Sequence, residues 1–375
     1  MKPIEKKKLN ESLKQCTDDV QRVSVYYEWA SRLYDEDRHQ AAIPLYKAAL
    51  DLETSPNGRG YFLAQIGICC YFLENDREAS RFLSRAKKSF RPKLVDFNGE
   101  ICGLTQYYLG AIYAFQGKPR RALAEQLEAL PYVLSLHKEN LWLLYVALSR
   151  SYDQLGKDAE AIQYDQKAIE VISDQDPNLT YLYESMALHY FELGQYDEAL
   201  KAYQKILELD PEFENREEIY SRIGNCYQNL TNYRSALDAY KTILEVKQLT
   251  GSKEGLTRLH IQQASCHFRL GDFNTALETA RQSLKLRPRN PVERAQLYGL
   301  VAISLYELGS EEAAIQAGDK ALSLSNHFQD LDQLLFRMAM AYHKLGDNRK
   351  FRQLKTRCKR AFPGHAWNKL LDKLA

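Results

Sequence analysis

The chain has 375 residues, with 51 Lys and Arg against 49 Asp and Glu, for a formal net charge of +2. So even a balance argues against a uniformly basic nucleic-acid groove. No apolar run approaches the roughly 18 residues that a membrane-spanning helix needs. Seven cysteines without a Cys-x-x-Cys spacing argue against a disulfide framework and fit reduced, buried thiols in a cytoplasmic protein.

In chain order, "PIEKKKLNESLKQC" at the start is an amphipathic helix candidate. Lys6, Lys7 and Lys8 precede no apolar run, so this segment does not read as a signal peptide. From residue 22 onward the pattern repeats. In "ELGQYDEALKAYQKILELDP", residues 192–211, Gly194 ends one helix, and Tyr196, Ala199, Leu200, Tyr203, Ile206 and Leu207 form one face of the next. The small residue equivalent to Ala199 recurs at Ala42, Ala79, Ala122, Ala161, Ala236, Ala276 and Ala314, and a ninth copy has Phe351 there. Successive markers are 37 to 43 residues apart. Twelve residues upstream lies a second small slot: Ala30, Gly67, Gly110, Ser149, Ala187, Gly224, Ala264, Ala302 and Ala339. The turns carry Asp37, Glu74, Gly117, Gly156, Gly194, Thr231, Gly271, Gly309 and Gly346. Proline closes units at Pro211, Pro288 and Pro363. The longest gap contains "SFRPKLVDFNGE", which reads as a longer loop between the second and third units. "AWNKLLDKLA" at the end is a last amphipathic helix, with Trp367, Leu370, Leu371 and Leu374 as its apolar stripe.

This register of nine helix–turn–helix units resembles the tetratricopeptide repeat, in a variety longer than the usual 34 residues or so. Phe351, Ile206, Ile243 and Ser283 depart from the alanines that the family pattern expects. The resemblance implies an all-α solenoid, a right-handed superhelix of about nine hairpins. Residues 22–364 would form it, with capping helices at 1–21 and 365–375. Two antiparallel helices would cross at the paired small slots, where larger side chains would force them apart.

Catalytic chemistry finds no pattern to rest on, and no catalytic, cofactor or metal residue is expected. His260 and His267 are two turns apart on one helix, roughly 10 Å along its axis, too far to share a zinc ion. Cys266 lies off the line between them. Phosphate-loop, nucleophile-elbow and His-Glu-x-x-His spacings do not occur. Charge is segmented: residues 153–218 sum to −12, residues 77–121 to +7, and residues 344–375 to +8. An acidic centre opposes nucleic acid threading the length of the chain, so no specific nucleic-acid partner is expected. The acidic centre and basic C-terminal end could instead drive head-to-tail self-association.

The resemblance also locates a ligand. In the family the first helix of each repeat lines the inner groove through its second, fifth, ninth, twelfth and thirteenth positions. The carboxylate clamp of chaperone-binding members, lysine at the fifth position and asparagine at the ninth, is replaced here by Tyr27 and Ser31, Ala64 and Ile68, and Tyr107 and Ala111. Units one to three offer aromatic groove residues, Tyr27, Tyr34, Tyr71, Tyr107 and Phe115. Units six and seven offer polar ones, Arg222, Asn225, Gln228, Asn229, Arg258, Gln262, Ser265 and Arg269. The expectation is a scaffold or adaptor without chemistry of its own, holding a protein or extended peptide most strongly at units six and seven. The alternative is a peptide- or partner-sensing regulator of bacterial type, and a less favoured third reading is nucleic-acid binding through the basic C-terminus.

Overall fold

The computed structural model describes residues 1–90, 95–134, 138–211, 213, 215–250 and 255–374, with 95–98, 134, 138–140 and 248–250 described by backbone alone. Every regular element among them is an α-helix. The contacts divide the chain into two compact units, Met1–Leu209 and Asp210–Ala375.

The first unit begins with α1 (Pro3–Lys14) and continues as five antiparallel hairpins. These are α2–α3 (Asp19–Asp35, His39–Leu52), α4–α5 (Pro56–Phe72, Asp76–Ser89), α6–α7 (Val95–Phe115, Pro119–Leu134), α8–α9 (Lys138–Asp153, Asp158–Val171) and α10–α11 (Asn178–Glu192, Tyr196–Leu209). The second unit holds four hairpins and a last helix. They are α12–α13 (Arg216–Asn229, Tyr233–Thr250), α14–α15 (Leu256–Arg269, Phe273–Lys285), α16–α17 (Pro291–Glu307, Glu311–Leu324), α18–α19 (Leu331–Lys344, Asn348–Ala361) and α20 (Ala366–Lys373).

Each hairpin closes through one residue in the left-handed region, and all nine sit where the sequence pattern puts them. Six are the glycines, from Gly117 to Gly346; the other three are Asp37, Glu74 and Thr231, with φ of 55°, 57° and 58°. In the turn after α12, the Thr231 amide donates to the Gln228 carbonyl and the Asn232 amide to the Tyr227 carbonyl. These bonds satisfy carbonyls that the helix end leaves open.

The small slots are buried where the two helices of each hairpin pack closely. Ala30 and Ala42 are fully buried, as are Ala187 and Ala199. A Cβ on Gly67 would stand 2.7 Å from Leu83, and one on Gly224 would collide with the Tyr240 ring. Around these crossings the first unit buries Tyr46, Ile66 and Leu83, then Leu144, Leu148 and Leu182. The second buries Tyr240 and Ile243, then Leu297, Leu300 and Leu335. The alanine-slot departures Ile206, Ile243, Ser283 and Phe351 are all buried, so the hairpins accommodate the bulkier three.

One expectation needs revision. Val95–Glu100, within the stretch read as a long loop, belongs to α6, which at 21 residues is the longest helix. Residues 91–94 of that stretch lie outside the described residues. The extra length of this repeat thus goes into helix, where each residue gains a backbone hydrogen bond.

At the ends, α1 is tied to the first hairpin by Arg38, whose guanidinium donates to both Glu5 oxygens at 2.9 Å. That pairing holds the Glu5 carboxyl down at about 2. In α20, Trp367 stacks on Phe336 of α18 with ring centroids 4.9 Å apart, and Leu371 is buried. Leu370 of the same stripe remains exposed.

Candidate functional site

The first helices of the hairpins in the first unit, α4, α6, α8 and α10, build one trough. Three adjoining cavities form it. The first, about 570 Å³, is lined by Tyr71, Phe72, Glu74, Asp76, Ala111 and Phe115. The second, about 570 Å³, shares Tyr71, Ala111 and Phe115 and adds Tyr107, Trp142, Leu143, Val146, Arg150 and Tyr181. The third, about 560 Å³, shares Val146, Arg150 and Tyr181 and runs on to Asp153, Glu184, His189 and Glu192.

Helical periodicity explains the lining. Counted in the register of the repeat, with the small slot of each first helix as position eight, the fifth, ninth, twelfth and thirteenth positions on α6 are Tyr107, Ala111, Ala114 and Phe115. In α8 the second, fifth, ninth and twelfth are Leu143, Val146, Arg150 and Asp153. Positions separated by three and four residues share one helical face. Alanines at 111 and 114 keep the wall low there, which opens room beneath Phe115. That ring is 86% exposed, and Leu143 and Tyr181 are also exposed. Contiguous exposed apolar surface of this kind marks a docking site more often than chance.

The trough is apolar in its floor and charged at defined points. Arg150 stands at its middle and donates to the Tyr181 hydroxyl at 2.8 Å. Glu74 and Asp76 lie at one end, and Asp153, Glu184 and Glu192 at the other. Burial pushes the Tyr107 and Tyr71 phenols above their usual range, so they remain neutral donors at physiological pH.

The aromatic residues named from the sequence divide. Tyr71, Tyr107 and Phe115 meet in the trough. Tyr34 packs against His39 and Phe72, and Tyr27 makes an edge contact with Tyr61. These two serve contacts between neighbouring hairpins. Trp142, Leu143, Arg150 and Tyr181 were missed, although the same position rule applied to α8 and α10 finds Leu143, Arg150 and Tyr181.

The polar set of the second unit is brought together in part. Asn225, Arg258 and Gln262 line a cavity of about 230 Å³ between α12, α13 and α14, with Glu217, Glu218 and Lys247. Several members are already engaged within the fold. Asn225 accepts from the Tyr240 hydroxyl at 2.9 Å. Asn229 donates to the Asn225 carbonyl, and Arg222 pairs with Glu218. Gln228 reaches the Gln262 carbonyl and the Cys266 sulfur. Arg269 donates to Asp330 at 2.6 Å, and the Ser265 hydroxyl is 3.5 Å from the same carboxylate. Ser265 and Arg269 therefore tie α14 to the start of α18. The carboxamide oxygen of Gln262 is buried without a hydrogen-bond partner.

The basic C-terminal end is also partly committed. Lys355 and Lys359 both pair with Asp372, and Lys344 pairs with Glu311. No helix among the described residues is long and apolar enough to cross a membrane.

Hairpins of this form, in register and closed by left-handed turns, make the protein an α-solenoid. Models of the tetratricopeptide repeat match residues 144–175, 181–213, 215–289 and 261–327. The chain is a tetratricopeptide-repeat protein. No curated protein matches its sequence. Among solved structures it is similar to a signal-transduction ATPase with numerous domains from Pyrococcus horikoshii, which carries a tetratricopeptide repeat sensor. That likeness has 17% identity and a TM-score of 0.53, and covers 94% of this chain and 54% of the other. The C-terminal part of a repeat-containing protein from Cytophaga hutchinsonii matches at 16% identity and TM-score 0.49, over 78% of this chain and 98% of that one. A MamA protein matches at 22% identity and TM-score 0.41, over 52% and 95%.

Proposed function

We propose that the protein is a non-catalytic interaction scaffold that holds a segment of a partner protein along the trough of α4, α6, α8 and α10. One observation carries this reading: exposed apolar side chains from four successive hairpins line adjoining cavities around a single arginine. Building the hairpins does not require an 86% exposed Phe115. The partner chemistry follows from the lining. An extended segment would place apolar side chains beside Phe115, Tyr107 and Trp142. A backbone carbonyl or carboxylate would meet Arg150, and basic residues would face the acidic ends. Acidic ends disfavour nucleic acid as the occupant.

The polar cavity of the second unit is the second candidate position for a partner, and Gln262, with its unpaired carboxamide oxygen, favours it. Arg269, Ser265 and Gln228 already serve the fold, which leaves fewer groups there for a ligand. A partner-sensing regulator would use the same trough, and head-to-tail self-association rests on charge segmentation alone. Seven free cysteines fit a reducing compartment such as the cytoplasm.

The test begins with selection of peptides from a random library on the intact chain, followed by calorimetry of an enriched peptide. Enriched sequences should combine apolar and basic residues. Phe115→Ser and Tyr107→Ala should each weaken binding by about 1–3 kcal/mol, as for central interface anchors, while Asn225→Ala should leave it unchanged. Peptides that bind both trough variants as tightly as wild type would overturn the assignment.

A further inference from the structure

We propose that Asp153, Asp158 and His189 form a binding site for a divalent first-row transition-metal ion at the turn of the α8–α9 hairpin. The three arrive from three helices. Asp153 ends α8, Asp158 opens α9 beyond the left-handed Gly156, and His189 crosses from α10. Their donor atoms all lie within 4.8 Å of one another. His189 Nδ1 is 3.2 Å from Asp158 Oδ1 and 3.9 Å from Asp153 Oδ1. Two ligands each about 2.1 Å from one ion stand roughly 3.0–3.4 Å apart at octahedral or tetrahedral angles. Small side-chain rotations would therefore close this set on an ion.

The other face of the imidazole carries the argument further. A metal-binding histidine commonly donates its second ring N–H to a carboxylate, which fixes the tautomer and raises the basicity of the ligating nitrogen. His189 Nε2 faces Asp165 Oδ2 at 3.6 Å. That carboxylate is 1% exposed and accepts from the Ser185 hydroxyl at 3.2 Å. The ring, itself nearly fully buried, thus has carboxylate oxygens against both nitrogens. The Ser185 hydroxyl, 3.4 Å from Nε2, can give its one proton to the ring or to Asp165 but not to both. A cation at Nδ1 removes that conflict and lets Nε2–H serve Asp165.

Access and local charge agree. Asp153 is exposed, and both it and His189 open onto the 560 Å³ cavity at the acidic end of the trough. Water or a partner's donor group could complete the coordination. The nearby cations are directed elsewhere: Arg150 donates to Tyr181, and Lys157 Nζ lies 3.4 Å from Glu160. Imidazole with two carboxylates suits zinc, cobalt or manganese, and zinc binds such donors more tightly than manganese.

The experiment titrates the untagged, chelator-treated full chain with zinc by calorimetry, and with cobalt by visible absorption. One ion per chain is expected, with a cobalt spectrum free of thiolate charge-transfer bands. Asp153→Asn and Asp158→Asn should each weaken zinc binding by about tenfold or more, and Asp165→Asn by about 10–100-fold through the second ring nitrogen. Because Asp153 lies at the surface, its variant will fold, and circular dichroism checks this. Zinc should also raise the melting temperature of wild type but not of Asp153→Asn. Three results would overturn the site. They are no stoichiometric ion at about 1 mM metal, binding unchanged in both ligand variants, or a thiolate-type cobalt spectrum.

Discussion

At the scale of single residues, the fold spends stability at a few identifiable positions. Thr231 takes φ of 58° where six other turns use glycine. An L-residue in that region costs roughly 1–2 kcal/mol, partly offset because glycine is freer when unfolded. Thr231→Gly should therefore stabilise the protein by about 0.5–1 kcal/mol in thermal or urea melts; a lower midpoint would mean that the threonine makes compensating contacts. Arg269 shows the opposite case. Its partner Asp330 is buried, and burial raises the Asp330 carboxyl above its usual range despite the arginine. Arg269→Ala leaves that carboxylate with only the longer bonds from Gln333 and Ser265 and should cost about 1–3 kcal/mol. An unchanged melt would release Arg269 for a ligand role. His260 gives a pH effect. Burial lowers its imidazole below the usual value, so the unfolded chain takes up the proton first as pH falls. Its contribution is present at neutral pH and declines as pH drops through about 6.5, the unfolded value, toward the folded one. His260→Gln should flatten the loss of melting temperature between about pH 7.5 and 5. Parallel curves would assign that loss to other groups.

At the scale of the helical hairpin, the sequence was most legible. Small residues twelve apart suit two antiparallel helices that pack closely, and Ala187 and Ala199 are both fully buried. Ala199→Leu should destabilise by about 1–3 kcal/mol through overpacking. Gly224→Ala should fall in the same range, since the rigid Tyr240 ring, held by Asn225, cannot move aside cheaply. Melts at the wild-type midpoint would deny a tight crossing. The site was less legible because exposure and pairing are tertiary properties. Gln228 and Arg269 look like groove residues in sequence, yet their partners lie 34 to 61 residues away. Leu143 and Arg150 follow the groove spacing, but only the neighbouring alanines of α6 and the ring of Tyr181 make them walls of a cavity. The cluster around His189 was invisible for the same reason: Asp158 lies 31 residues from it in sequence.

At the scale of the whole chain, the two units carry different surfaces. The first presents the apolar trough, and the second a smaller polar cavity whose residues are largely held by their own neighbours. Six of the seven cysteines are buried, and burial pushes the Cys69 thiol up to about 12 and the Cys266 thiol to about 11. One thiol, Cys16, should therefore react readily with a disulfide reagent in the native protein, and all seven after denaturation. The division between the units bears most directly on function. Hydrogen–deuterium exchange of the full chain, with and without a bound peptide, tests it in one measurement. The account predicts new protection in α4, α6, α8 and α10 of the first unit. Protection confined to α12 and α14 would contradict it and place the partner on the polar cavity of the second.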